Sequence, residues 1–224
     1  MEVKGYFPIP IWREQIKVEK KFKKHVFNYI ENNKMLSNRS SPKLSHSQSL
    51  KSLNSNINYK NSNFEENNIL DKPGFSKIKI EIKKILKNCF IEYLGDNQKE
   101  NEVVLRESWI NNCDKGGSQF AHNHGNSILS YTYYINYDFK KGHAPLFFER
   151  PNFNSSPFFS LLSWTKWTAS RNILFEIMEG DILIWPSYLQ HGYFENKGDY
   201  RISISGNALL KEISNSGYSF QIKS

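Results

Sequence analysis

The chain has 224 residues, 38% of them hydrophobic and 15% aromatic, with a formal net charge of +8. That is enough apolar material for one domain core, which excludes wholesale disorder. No apolar run is long enough to span a bilayer, and the first residues lack the basic and apolar regions of a secretory signal. Two cysteines, Cys89 and Cys113, cannot build a disulfide scaffold, so the expected compartment is a reduced cytosol, that of a bacterium or an infected host cell.

Residues 6–12, with two prolines, suit an extended edge segment and not a central strand. From residue 14 to about 32, Val18, Phe22, Val26 and Ile30 recur every fourth position and predict an amphipathic helix with lysines on its other face. Residues 33–71 are rich in Ser and Asn with little periodicity and predict a long surface insertion. Asp71-Lys-Pro-Gly punctuates its end. A second helix is expected over 75–94, with Ile78, Ile82, Ile85, Cys89 and Tyr93 on one face and Gly95 just past its end. Residues 1–100 carry 19 Lys and Arg against 11 Asp and Glu, whereas residues 101–224 carry 11 of each. All the excess charge therefore belongs to the helical front part.

After residue 101 the period becomes two. Strands are predicted over 103–110, 128–137, 145–149, 172–177, 181–185, 188–194 and 201–209, separated by Gly- and Asp-bearing turns. Many short strands without intervening helices indicate a jelly roll. The expected fold is mainly β with flanking helices: a double-stranded β-helix over 101–224, with the helices of residues 1–100 packed outside it.

Six histidines occur, and three stand out. His122-Asn-His124 lies at the entrance to the strand at 128–137, and on an extended chain residues i and i+2 point to one side. His191 follows 67 residues after His124. Together they can face one ion, and three ligands on one side leave positions open for substrate and oxygen. His25, His46 and His143 fall on helix, insertion and turn, where solvated side chains are expected. Arg201 and Ser203 share one strand face. A guanidinium inside a barrel needs an anion, its fork suits a carboxylate, and the Ser203 hydroxyl adds a second hydrogen bond.

This order of H-x-H, distal His and Arg-x-Ser resembles the Fe(II)/2-oxoglutarate-dependent dioxygenases, and most nearly a phage and bacterial subgroup of them. The similar pieces are Gly5-Tyr-Phe-Pro-Ile-Pro-Ile, Trp109-Ile-Asn-Asn, His122-Asn-His-Gly-Asn-Ser-Ile-Leu-Ser-Tyr, Glu179-Gly-Asp-Ile-Leu-Ile-Trp-Pro-Ser-Tyr-Leu-Gln-His191 and Tyr200-Arg-Ile-Ser-Ile-Ser-Gly-Asn207. The resemblance covers residues 101–210 and leaves 33–71 uncovered.

It implies a double-stranded β-helix and hydroxylation of a C–H bond by Fe(II) and O2, coupled to breakdown of 2-oxoglutarate into succinate and CO2. His122 and His191 match the two histidine ligands. Arg201 matches the arginine that grips the distal carboxylate of 2-oxoglutarate, and Ser203 the helper hydroxyl. Tyr131 or Tyr133, and Asn111 on the preceding strand, match positions that add hydrogen bonds to the co-substrate. Walls of Trp109, Tyr133, Leu146, Phe148, Ile184 and Trp185 would keep the site dry. The departure is His124, where the wider superfamily has a carboxylate. Either three histidines hold the metal, or a carboxylate arrives from elsewhere, or the metal is not iron.

Two other readings fit parts of the pattern. Gly116, then five residues, then His122-x-His124 resembles the opening of a cupin motif, and a three-histidine iron is what thiol dioxygenases use. The glutamate a cupin carries shortly after H-x-H is missing, and a cupin does not need Arg201-x-Ser203. A non-enzymatic jelly-roll binding module, with the lysine-rich front contacting nucleic acid, is the third. The primary substrate is open between a peptide, a nucleobase and a small metabolite, and the pattern leaves room for a homodimer.

Overall fold

The computed structural model describes residues 9–33, 35–38, 41–46, 68–151, 172–215 and 218–222. Residues 5–8 of the first resembling piece, and 47–67 of the polar insertion, lie outside them.

Ten strands form the body. β4 (Val103–Cys113), β5 (Gln119–His122), β6 (Leu129–Asn136), β7 (Phe147–Glu149) and β8 (Asn172–Leu174) come first. β9 (Asp181–Pro186), β10 (His191–Tyr193) and β11 (Arg201–Leu210) follow, and a terminal hairpin, β12 (Glu212–Asn215) and β13 (Tyr218–Gln221), closes the chain. Three further strands come from the front part: β1 (Trp12–Gln15), β2 (Leu36–Asn38) and β3 (Ser41–His46). The larger sheet has seven strands in the order β1-β9-β6-β11-β4-β3-β2, and the smaller has four in the order β5-β10-β7-β8. Strand pairing in both is antiparallel, with β11 central between β4 and β6. This is the mainly β jelly roll expected from the sequence, with helices α1 (Lys20–Asn32) and α2 (Ser76–Leu94) against the outer face of the larger sheet.

Alternation along the strands divides the chemistry. Ile202, Ile204 and Ala208 of β11, Tyr131, Tyr133 and Ile135 of β6, and Ile182 and Ile184 of β9 point outward to the helices. There they meet Val26 of α1 and Ile78, Ile82, Leu86 and Phe90 of α2. Each such fully buried side chain stabilises the packing by about 1.5–3 kcal/mol. The other set, including Tyr134, Leu183 and Trp185, faces the smaller sheet and its Phe148. Because the side-chain period is two, a one-residue slip of β11 would exchange these two sets.

The front part departs from expectation in three places. The helix starts at Lys20, not near residue 14, because Trp12–Gln15 pairs with β9 as an edge strand. The buried face of α2 runs through Leu86 and Phe90, with Ile85 and Tyr93 at its margin. The stretch expected to lack regular structure supplies the β2–β3 hairpin, and β3 adds to β4 by placing Leu44 opposite Cys113 and His46 opposite Asn111. A sheet edge accepts such a strand through backbone groups alone, so no hydrophobic period is needed to form it.

Two histidines expected in solvent are packed instead. His25 lies edge-on to Phe75 at 5.0 Å, and Gly74, with φ of +88°, leaves room for its ring. His143 is buried. It accepts the Asp138 N–H at Nδ1 (3.0 Å), and its Nε2 lies 2.9 Å from the Asp199 carbonyl.

β1 is fastened at Asp181. This fully buried carboxylate pairs with Arg13 (2.7 Å), accepts the Met178 N–H (2.7 Å) and receives the Gln15 amide. Asp181→Asn removes the charge from all three bonds. It is expected to lower stability by about 2 kcal/mol in urea unfolding, the scale of hydrogen bonds to a charged group.

Candidate metal centre

β5 ends at His122, and β10 begins at His191 directly opposite it. His122 thus closes a short strand of its own in the smaller sheet and does not open β6. His124 lies two residues on, its backbone N–H donating to the Ser187 carbonyl at 2.9 Å. One nitrogen from each of His122, His124 and His191 falls within 4.8 Å of the others. The ring centroids are 4.4 Å apart for His122 and His191, and 5.1 and 5.2 Å from each of these to His124.

Hydrogen bonding orients two of the rings. His122 Nδ1 is 2.9 Å from the Phe120 carbonyl and His191 Nδ1 is 3.0 Å from that of Leu189. A carbonyl only accepts, so each Nδ1 carries the proton and each Nε2 keeps its lone pair, as a metal ligand requires. His124 Nδ1 lies 3.4 Å from the side-chain nitrogen of Asn207. Burial lowers the pKa of all three. His124 is pushed down to about 4, and His191 well below its ordinary value, with mutual repulsion adding to burial in both. Three neutral imidazoles are therefore gathered at neutral pH. Gln119, Trp109 and Trp185 border them.

Arg201 lies in the same cavity and is fully buried. Its Nε donates to the Ala144 carbonyl at 2.8 Å, its Nη2 is 3.5 Å from the Tyr134 hydroxyl, and its guanidinium sits 4.1 Å above the Tyr193 ring. Among the described residues its partners are a carbonyl, a hydroxyl and rings, and none is a carboxylate. A buried cation left so is an anion site. Among the described residues the buried hydroxyl of Ser203, two residues along the same strand face, has no hydrogen-bond partner, and neither has the indole N–H of Trp185. Asn111, opposite Ser203 in register, lines the cavity. Its amide donates to Ser205 (3.1 Å) and its oxygen is unpartnered.

One expected residue lies elsewhere and a second only edges into the cavity. The Tyr133 hydroxyl donates to the Ile16 carbonyl at 3.2 Å, on the helix side of the sheet. Tyr131 reaches the cavity lining, but its ring packs in the helix-facing core over Gly206, where a Cβ would come within 2.3 Å of its hydroxyl oxygen. The tyrosines beside Arg201 are Tyr134 and Tyr193, which the sequence reading passed over. The phase of the alternation along β6 decides between Tyr133 and Tyr134, and only the pairing of the strands sets that phase. Of the expected walls, Trp109, Leu146 and Trp185 line the cavity, and Phe148 stands behind His191 at 6.3 Å. Ile184, like Tyr133, faces the helices.

Residues 107–207 match the family described as "Putative 2OG-Fe(II) oxygenase". Over that stretch the jelly roll matches the 2OG-Fe(II) oxygenases. No curated protein sequence matches the chain. Solved structures share the fold. A prolyl-4-hydroxylase of Pseudomonas putida is 8% identical with a TM-score of 0.55, covering 90% of this chain and 92% of its own. HygX of Streptomyces hygroscopicus, solved with nickel, 2-oxoglutarate and hygromycin B, is 10% identical with a TM-score of 0.57, covering 89% and 82%. A 2OG-Fe(II) oxygenase-family oxidoreductase of Burkholderia pseudomallei is 9% identical with a TM-score of 0.54, covering 89% and 84%.

The enzyme is thus an oxidoreductase of the Fe(II)- and 2-oxoglutarate-dependent class. Its donor set fits both groups: neutral imidazoles for a divalent ion, and a buried guanidinium with unpartnered polar atoms for a dicarboxylate. No helix among the described residues is long and apolar enough to cross a membrane.

The depressed histidines have a consequence for the metal-free protein. The unfolded chain takes up protons near the ordinary imidazole value of 6.5, while folded His124 resists until about 4. Across that window the unfolded state binds more protons, so stability falls as pH falls. Thermal melts of metal-stripped protein should show Tm dropping from neutral pH towards about 4, with a shallower slope in His124→Gln. Equal slopes would mean that His124 is not buried in its neutral form.

Proposed function

We propose that His122, His124 and His191 hold the ferrous ion, and that Arg201, Ser203 and Asn111 receive 2-oxoglutarate, in a reaction that hydroxylates a primary substrate. The observation that carries this is the shared cavity of three neutral imidazoles and a buried, carboxylate-free guanidinium. When bound, Fe(II) with 2-oxoglutarate and O2 supplies the oxidising chemistry, which ends in a hydroxylated substrate, succinate and CO2.

The chain's own residues bind, orient and shield. Arg201 neutralises the distal carboxylate, and burial strengthens that attraction because little water competes. Its fork is held at Nε by the Ala144 carbonyl and over the Tyr193 ring, with only the long contact to the Tyr134 hydroxyl at a terminal nitrogen, so the terminal nitrogens can turn to the ligand. Ser203 Oγ, without a protein partner, can donate to the same carboxylate. The Phe120 and Leu189 carbonyls fix the proton on Nδ1 of His122 and His191. Leu146 and Trp185 exclude water from one side, and Trp109, tilted against His124 at 5.8 Å, borders the other. A cupin-type thiol dioxygenase would leave the buried Arg201 without a role. The residues 1–100 act in this reading as a support for the catalytic jelly roll. The primary substrate is a peptide, a nucleobase or a small metabolite.

Anaerobic addition of 2-oxoglutarate to the Fe(II)-loaded protein should produce the visible absorption band of the co-substrate chelated to iron. Arg201→Ala is expected to weaken 2-oxoglutarate about a hundredfold, near 3 kcal/mol, with the metal retained. His191→Ala should lose the metal, whereas His124→Asp should keep it, since a carboxylate replaces one donor with another. Turnover of a thiol without any keto acid would sink this reading, as would normal co-substrate affinity in Arg201→Ala.

A further inference from the structure

The loop between β10 and β11 delivers Arg201, and it is fastened more heavily than a surface loop needs. Tyr200, immediately before Arg201, has φ of +59°, a left-handed conformation that a bulky residue adopts only when its surroundings force it. Its carbonyl accepts the Asn136 side-chain amide at 2.6 Å. Asp199 is held through its carbonyl to His143 and through its carboxylate to the Lys115 N–H. Gly198 sits so tightly against the 138–143 turn that a Cβ would meet the Lys141 carbonyl oxygen at 2.4 Å.

At the centre is Asn196, whose side chain is fully buried. Its Oδ1 accepts the Ala144 N–H at 2.9 Å. Its Nδ2 faces the carbonyls of Cys113 (3.0 Å), Asp114 (3.3 Å) and Gly198. Its own backbone N–H donates to the Gly117 carbonyl at 2.8 Å, and its carbonyl accepts the Gly116 N–H at 2.6 Å. One amide thus ties together three segments. These are the end of β4, the loop before β11, and the segment whose Ala144 carbonyl receives Arg201 Nε at 2.8 Å. Cys113, at the first of these, is also the register partner of Arg201.

We propose that Asn196 is a positioning residue for Arg201. It holds Ala144 by accepting its N–H, and the carbonyl of the same residue, one Cα further along the chain, fixes the guanidinium. A fork aimed at a carboxylate tolerates little misplacement, so the amide governs selection of a 2-oxo acid that carries a distal carboxylate. This rests on the reading of Arg201 given above. It goes beyond it in assigning selectivity to a residue that touches neither metal nor co-substrate.

The test uses Asn196→Ser in the full chain and compares 2-oxoglutarate with pyruvate, a 2-oxo acid without the distal carboxylate. Anaerobic calorimetry on the Fe(II)-loaded protein should show 2-oxoglutarate weakened about tenfold, with pyruvate and Fe(II) affinities within about twofold of the parent. In the metal-free protein the Arg201 Nε–H resonance should exchange with solvent faster than in the parent. If Asn196→Ser does not fold, Asn196→Asp keeps an acceptor for the Ala144 N–H while setting a carboxylate against three carbonyls, and the same losses are expected. Unchanged 2-oxoglutarate affinity, or equal weakening of both oxo acids, overturns the proposal. The Nε–H readout does not depend on what Arg201 binds, so unchanged exchange overturns the positioning role by itself. Loss of selectivity in Arg201→Ala, measured alongside, keeps the reading of the pocket separate from that of Asn196.

Discussion

The arrangement depends on a guanidinium buried without a counter-charge. Taking an arginine out of water costs several kcal/mol unless something inside the protein replaces the hydration. Here the replacement is partial: one carbonyl on Nε, a tyrosine ring beneath, and a hydroxyl at the edge of hydrogen-bonding range. Each contact needs a different part of the chain at a fixed place. Ala144 comes from the turn before β7, Tyr193 from β10 and Tyr134 from β6. The larger and smaller sheets must both be assembled before Arg201 has all of its partners. The unfilled side of the fork then states the charge and shape of what the cavity takes.

The histidines impose the complementary condition at the other end of the same cavity. His122 and His191 are brought opposite one another by the pairing of two short strands, β5 and β10, and His124 follows two residues on. Close imidazoles in a buried place favour the neutral form, because each proton added meets both desolvation and its neighbours. A carboxylate at position 124 would have supplied a negative charge to attract the ion. The imidazole there gives no such attraction but binds softer metals well. In the proposed metal site affinity would rest on geometry, and the carbonyls behind His122 and His191 would supply part of it.

Much of this was legible in the sequence, and the reasons are particular. The strands of the second part announced themselves through β-branched and aromatic runs bounded by Gly- and Asp-bearing turns, although β6, β9 and β11 are buried on both faces. His122, His191, Arg201 and Ser203 were legible because the spacing H-x-H, distal His, Arg-x-Ser has few other uses. Tyr134 and Asn196 were not legible. Choosing Tyr133 over Tyr134 needs the phase of β6 against β9 and β11, which residues far along the chain determine. Asn196 acts through four backbone groups, and backbone groups carry no residue signature. The β2–β3 hairpin escaped for the same reason: it is held to β4 by main-chain pairing at a sheet edge. His143 read as a turn residue, because the loop that buries it is more than fifty residues away in sequence.

The charge of the front part can be weighed by the same physics. A surface that binds a polyanion keeps its lysines free to displace counterions. Several lysines of α1 and α2 are engaged within the fold: Lys23 with Glu179, Lys77 with Glu19, Lys79 with Asp71 and Lys83 with Glu102. Exposed pairs of this kind add little stability, between zero and about 1 kcal/mol each. They do lower the local potential, and they join the helices to the turns and loops beside them. Lys23–Glu179 connects α1 to the turn before β9, beside the Asp181 anchor that fastens β1. The lysines on these helices therefore serve in part to seat the outer layer on the sheet. The apolar faces beneath them hold β11 in the one register that turns Arg201 and Ser203 inward.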